Sequence, residues 1–401
     1  MLTVVAFLLK SALTILDVTG YLLSTFGVHI VLLNTMQLVE KTEKKVGRKL
    51  SMVNNSEWMK NLECLVDTIN KKVTRPSIRL IYRDIICDEI LQPLIQIESA
   101  VERHPAINNV CIDKPIFISG SGRNGSTLLQ ALMANYSELR YLTLPECREM
   151  LPLDEKREFD PNWRQERDER WAWKLDLSQR ALVDFRIFSH ELSANKPEEC
   201  IPILSRYMFL WPIYTLGAVW NGEHVIQWLK SKACHGSKPS SRLLLKCPIH
   251  SAFHTFIRKV FPDAFIIRLH RDPGQMAGSH CSMHTGITEA FGVNQPKKDI
   301  GEMTLKWLSL SCNQMVTEET DKQMIDIRYN DLMADPVGVC GQIAQLVGLQ
   351  HTDEVVLKLH NHMKTNPKHK HGVHNYSAID YGIHCEQLRN DFETYCKRFG
   401  I

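Results

Sequence analysis

Residues 119–127 read SGSGRNGST, three glycines with an arginine and an asparagine between them, ending in two hydroxyls where a helical pattern opens toward Leu128. Before it, 115–119 is a short apolar, β-branched run of buried-strand type. A strand, a glycine-rich loop and a helix start aim backbone N–H groups and the positive end of a helix at an anion. The spacing of Gly120 and Gly125 matches the first half of the nucleotide P-loop, G-x-x-x-x-G-K-[ST], but Ser126 stands where that motif has lysine. The fixed positive charge is Arg123, inside the loop. Gly122, Arg123, Asn124, Gly125, Ser126 and Thr127 are therefore candidates to hold a terminal anionic group through amides, hydroxyls and a guanidinium fork, without an obligatory metal. A glycine-rich turn that only joins a strand to a helix has the same local look.

Three further places carry chemistry. Glu146, in LRYLTLPECREM, follows the loop's helix at the end of a strand-like run, where a carboxylate can take a proton from a hydroxyl. An ion pair with Arg148 is the competing reading, and Glu149 is a rival carboxylate. Lys246 ends the strand-like run in LLLKCPIH and His250 lies four residues on. The lysine suits a charge growing on a leaving oxygen; the histidine suits a base, a proton shuttle or a helix-start hydrogen bond. Arg271 follows the strand-like run 264–269, and Ser279 comes eight residues later, two helical turns, so a guanidinium and a hydroxyl can converge on one phosphate.

Taken in order, these motifs resemble the sulfotransferase superfamily that uses 3′-phosphoadenosine-5′-phosphosulfate (PAPS). The residues that carry the resemblance are the loop at 119–127, the lysine–small–proline–x–histidine pattern with Cys247 in the small position, Arg271-Asp272-Pro273 with Ser279, Tyr329-Asn330-Asp331-Leu332, and the segment 366–382, NPKHKHGVHNYSAIDYG. The chain is most similar to the sulfotransferase 3-like group and more distantly to the tyrosylprotein sulfotransferases, over about residues 110–150 and 240–385. The resemblance implies a P-loop-type α/β fold, a mostly parallel sheet flanked by helices. It implies the 5′-phosphosulfate on loop 119–127 with Arg123 as its cation. Glu146 is then the catalytic base, with His250 as the alternative, and Lys246 stabilises the departing phosphate. Arg271 and Ser279 hold the 3′-phosphate, and Lys370 and Gly372 belong to a late basic loop over the nucleotide. The product is the 3′,5′-bisphosphate (PAP), and no metal is required. A solvated basic surface gives the same run around Lys368 and His371.

The elements that must position these residues fill a chain of 401 residues, enough for one large α/β domain with extensions. Hydrophobic residues at 44% and charged residues at 23% are ordinary for a globular protein, and a net charge of +3 is too small to argue for nucleic acid. Twelve cysteines show no CxxC pair and no zinc-like spacing, so no metal site is expected. The partition expected is a hydrophobic N-terminal helix within 1–40, a helical lead-in over 41–110, the α/β domain over 111–385 with a helical acceptor-side insertion at 150–240, and a terminal helix over 386–401. Trp163, Trp171, Trp173, Trp211, Trp220 and Trp228 lie in the insertion, as core packing or as the lining of an acceptor pocket.

Residues 18–39 carry no charge and are long enough to cross a bilayer, which points to a membrane anchor or an interfacial helix. Lys41, Lys44, Lys45, Arg48 and Lys49 follow, which favours a domain on the cytosolic face; membrane-anchored sulfotransferases generally face the Golgi lumen. Asn124-Gly125-Ser126 is a glycosylation sequon inside the loop, and a glycan there would block the site, which also leans toward the cytosol. The acceptor expected is a hydroxyl of a small molecule, lipid or glycoconjugate, with no nucleic-acid partner. Two other classes stay open: a P-loop kinase dependent on ATP and Mg²⁺, and a catalytically silent membrane-associated nucleotide-binding protein.

Overall fold

The computed structural model describes residues 2–181, 193–202, 242–290, 293, 295–366 and 377–401. Five strands form one parallel sheet: β1 (Ile116–Ser119), β2 (Leu139–Tyr141), β3 (Arg242–Lys246), β4 (Phe265–His270) and β5 (Met324–Arg328), in the order β2-β3-β1-β4-β5. With β1 between β3 and β4, the chain departs from β1 in one direction and returns on its other side. The crevice beyond the strand C-termini opens at such a reversal. In register, Ile118 sits beside Lys246 and Ile267, and Ser119 beside Arg268. The loop after β1, Lys246 and the residues after β4 therefore share one edge of the sheet.

Near-continuous apolar strands are what a parallel sheet covered on both faces demands. Phe117, Leu243, Leu245, Ile266 and Met324 point into one core, against the helices Thr35–Val46, Ser56–Lys72, Pro76–Asp84 and Gln92–Arg103. Ile116, Ile118, Leu244, Ile267, Leu269 and Ile327 point into the other, against Ser126–Met133, Pro336–Val347 and Asp353–Thr365. Each such side chain contributes roughly 1.5–3 kcal/mol on burial. A third cluster ties the helices Pro273–Ala290 and Lys297–Thr317 to the C-terminal helix Glu393–Phe399. The α/β sheet with flanking helices agrees with the sequence expectation. The ten cysteines whose side chains are described are free thiols.

The uncharged run 18–39 is not one helix. The apolar helix lies upstream, Leu2–Ser24, and takes in Lys10 and Asp17; the chain then turns, with Gly27 at φ 75°. Asn34 starts the next helix, its side chain accepting from the Gln37 N–H at 3.0 Å. The charge inside the first helix is matched locally. The Asp17 carboxylate accepts from Arg75 Nε at 2.8 Å, from the Ser77 N–H at 2.9 Å and from the Ser77 hydroxyl at 2.7 Å, and so caps the helix Pro76–Asp84. Gly20 lets the two helices approach; a Cβ there would collide with Pro76. Phe7, Leu8, Ile15 and Tyr21 remain exposed, and by length and composition this helix is able to cross a membrane.

β4 and β5 are joined by more than their backbone ladder. Arg268, fully buried, donates to Asp326 from Nε at 2.6 Å and Nη2 at 2.8 Å, and His270 Nε2 lies 2.8 Å from the same carboxylate. Burial works against the Asp326 charge, yet hydrogen bonds from His270 and Arg268 hold its carboxyl below the usual range. Removing one partner of a buried ion pair leaves the other uncompensated. Asp326→Asn is expected to lower the unfolding free energy by about 3–5 kcal/mol, measured by urea unfolding at neutral pH.

Candidate active site

After Ser119 the chain turns through a loop of left-handed residues, with φ 144° at Gly120, 91° at Gly122, 59° at Arg123 and 87° at Gly125. A Cβ on Gly120 would run into the Asn124 side chain and lie 2.7 Å from the Leu269 carbonyl; one on Gly122 would lie 2.9 Å from His280 Nε2. Glycine is needed at both for backbone shape and for space. The loop floor is pinned from beneath: the Ser121 carbonyl accepts from Trp307 Nε1 at 2.9 Å and from His280 Nε2 at 3.2 Å. Gly125 gives the helix Ser126–Met133 no side-chain cap, so its first N–H groups face the loop, as an anion site requires.

Within this loop Arg123 is the non-glycine held left-handed, a conformation costing about 1–2 kcal/mol. Its carbonyl accepts from Arg271 Nη1 at 2.6 Å, and its own Nε donates to Ser279 Oγ at 2.8 Å. Arg271 also lies over the Tyr329 ring, 4.1 Å from the centroid, and donates to Gln275 Oε1. Arg123, Arg271 and Ser279 thus form one cluster on one flank of the loop. Asn124 is buried, its amide donating to the Leu269 carbonyl at 2.9 Å while its Oδ1 has no partner. The sequon is therefore closed to glycosylation in the folded chain.

The other flank is built on Lys246, the last residue of β3 and 1% exposed. Its ammonium donates to Thr127 Oγ1 at 3.1 Å and is ion-paired with Glu199. Glu199, whose side chain is 15% exposed, comes from a segment laid across the ends of β2 and β3. There the Glu198 N–H donates to the Leu142 carbonyl at 2.8 Å, the Cys200 N–H to the Lys246 carbonyl at 3.0 Å, and Gln130 Nε2 to the Glu198 carbonyl at 3.0 Å. Sequence reasoning missed this residue. A buried strand-end lysine calls for a counter-charge, but no local pattern says which acid supplies it.

Glu146 is not at a strand end. β2 stops at Tyr141, and Glu146 lies in the first turn of the helix Leu144–Arg148, where it closes a capping box. Its Oε2 accepts from the Thr143 N–H at 3.0 Å and its Oε1 from Arg140 Nη2 at 3.2 Å. Arg148 pairs with Glu89 rather than with Glu146. Glu149 accepts from Trp171 Nε1 at 3.0 Å and pairs with Arg170. His250 is buried edge-on against Phe117, ring centroids 5.1 Å apart, and its Nδ1 has no partner. Burial, helped by nearby His254, pushes its pKa down to about 3, so the ring is neutral. Ser119, His254 and Glu318 line up like a relay, Ser119 Oγ 2.6 Å from His254 Nε2 and His254 Nδ1 2.5 Å from Glu318, but the serine and imidazole are buried and brace the end of β1. Trp163 and Trp171 are buried and Trp173 is exposed. Lys370, Gly372, Trp211, Trp220 and Trp228 lie outside the described residues.

A sequence profile of the Sulfotransferase family matches residues 115–353. Over 134 residues, 32% of this chain, the sequence is 25% identical to the omega-hydroxy-beta-dihydromenaquinone-9 sulfotransferase Stf3 of Mycobacterium tuberculosis (strain CDC 1551 / Oshkosh). That match spans about a third of the relative's length, 34%. The fold is similar to that of the sulfotransferase STF9 from Mycobacterium avium, with a TM-score of 0.75 at 22% identity over 92% of this chain and 97% of the other. It is also similar to the sulfotransferase STF1 from Mycobacterium tuberculosis H37Rv, with a TM-score of 0.67 at 21% identity over 90% and 98%.

Two histidines around the loop link the site to pH. Burial pushes His250 to about 3 and, with Arg123 nearby, His280 to about 4. Unfolded, each would titrate near ~6.5. Both folded values are depressed, so the stability they confer is complete above that point and is lost as pH falls toward the folded values. The expected slope is about 1.4 kcal/mol per pH unit for each residue. Urea unfolding between about pH 6 and pH 4.5 checks it: His250→Gln should remove one such increment from the slope.

Proposed function

The chain belongs to the Sulfotransferase family, and on that premise we propose that it moves a sulfuryl group from PAPS to a hydroxyl of a small-molecule, lipid or carbohydrate acceptor, releasing PAP. The observation that carries the reading is the join between the two anion-binding elements: Arg271 holds the Arg123 carbonyl and Arg123 holds Ser279. In the proposed arrangement Gly122, Arg123, Asn124, Gly125, Ser126 and Thr127 receive the 5′-phosphosulfate. Arg271 and Ser279 receive the 3′-phosphate, with Lys370 and Gly372 closing over the nucleotide. The residues fit such a ligand: a glycine loop whose packing against Asn124, His280 and Leu332 leaves no room for a Cβ, an uncapped helix start and two guanidinium groups.

PAPS supplies an activated sulfuryl group, and the protein's part is to stabilise the oxygen it leaves behind. In this reading Lys246, which donates to Thr127, and Arg123 in the loop supply the positive charge for that. The acceptor must also lose a proton, a role the resemblance gives to Glu146 with His250 as the alternative. The insertion at 150–240 sets the acceptor in this reading. The relative named for an omega-hydroxy-beta-dihydromenaquinone-9 supports a hydroxyl on an apolar molecule. The exposed apolar face of the helix Leu2–Ser24 supports membrane association, and the basic residues from Lys41 to Lys49 favour the cytosolic face.

Calorimetry with PAP tests the reading, with adenosine 5′-phosphate and ATP–Mg²⁺ as competitors. The expected outcome is preference for PAP over both, and a loss of about 1.5–3 kcal/mol of PAP binding in Arg271→Ala that exceeds the loss for adenosine 5′-phosphate. Preference for ATP–Mg²⁺ would move the protein to phosphoryl transfer.

A further inference from the structure

A hydroxyl that attacks sulfur must pass its proton to a group within hydrogen-bond reach. Around the strand ends the obvious groups are already committed. Glu146 has one oxygen on Arg140 and the other on the Thr143 N–H, and Glu149 is engaged by Arg170 and Trp171. His250 is sealed behind β1 against Phe117. Glu199 differs from all three. Its Oε1 is on Lys246, and among the described residues its Oε2 has no partner.

We infer that Glu199 is the catalytic base, an inference that rests on the sulfuryl-transfer reading of the same crevice. Its backbone is fixed on both sides, by Glu198 on Leu142 and by Cys200 on Lys246, so the carboxylate is delivered by a braced segment. It reaches the crevice beside the ammonium that touches Thr127, in the first turn of the loop's helix, which is where the transferable end of the donor is proposed to lie. The segment that carries it, 193–202, belongs to the stretch expected to face the acceptor.

The step balances without a further reactant. The acceptor oxygen forms a bond to sulfur, and the bond from sulfur to the 5′-phosphate oxygen breaks, its electron pair staying on that oxygen. The hydroxyl proton passes to Glu199 Oε2 and from there to solvent. Lys246 ties the two ends together. An ammonium has three donors, so it can keep Thr127 and Glu199 while it turns the third to the leaving oxygen. As Glu199 gains a proton its hold on the ammonium weakens, just as the phosphate oxygen gains negative charge. The cation's field is thereby shifted toward the product.

The test uses the full chain, labelled PAPS, and 4-substituted phenols and water as acceptors, with PAP binding measured alongside. Glu199→Gln should bind PAP within about threefold of wild type or more tightly. It should lose about 10²–10⁴ in kcat with 4-methylphenol, much less with the more acidic 4-nitrophenol, and it should lose the acidic limb of the kcat–pH profile. Glu199→Asp keeps a carboxylate on Lys246 and should show a partial loss with the acidic limb retained, which covers the case of a glutamine variant that does not fold. The inference is overturned by turnover of Glu199→Gln within about threefold of wild type. It is overturned equally by a loss of the same size across the phenol series, by an acidic limb that vanishes in Glu146→Gln instead, or by a wild type that binds PAP yet moves sulfuryl to neither phenol nor water. A wild type that fails to bind PAP overturns the sulfotransferase reading itself.

Discussion

An ammonium taken out of water needs a counter-charge and a full set of acceptors, and the crevice is organised around how Lys246 meets that demand. The lysine ends an inner strand, so the sheet fixes its Cα to the register of β1 and its neighbours. Its side chain can then reach only the start of the loop's helix and whatever the chain lays over the ends of β2 and β3. That covering segment is stitched to both strands by backbone hydrogen bonds, and Glu199 comes with it. Lys246 therefore joins the helix that follows the loop to the segment that covers the ends of β2 and β3.

The opposite flank follows the same logic with a different cation. A left-handed Arg123 is stable because its carbonyl and its guanidinium are both occupied, by Arg271 and by Ser279. The residues that shape the loop are thus the same ones proposed above to hold the 3′-phosphate. The pinning of Ser121 by Trp307 and His280 leaves the loop little freedom to relax between the two flanks.

Much of this was readable from the chain. Strand, loop and helix at 115–133 are local in sequence, and their glycines are explained by backbone shape alone. Lys246 ends a strand, and Arg271 and Ser279 follow one at a fixed distance, so the parallel sheet carries them to one edge. Glu146 was misplaced because a run of LRYLTL reads as strand; yet Thr143-x-x-Glu146 is itself a capping-box signature, and that signal was present. Glu199 was beyond reach, since its meaning lies in a contact with a residue 47 positions away. The N-terminal helix lies upstream of the uncharged run because Asn34 starts a helix of its own, and because Asp17 is a tie to Arg75 and Ser77 within the first helix.

That tie makes the first helix a working part of the folded body. Asp17 supplies the anion for the start of the helix Pro76–Asp84, and Gly20 is the notch into which Pro76 fits. A shortened protein that begins after residue 24, cut to gain solubility, would shed an apolar surface but would uncap a helix whose Ile78 and Tyr82 belong to the core under the sheet. The exposed apolar surface and a keystone of the scaffold are two sides of one helix, and a detergent that shields the outer side is the gentler way to handle the protein.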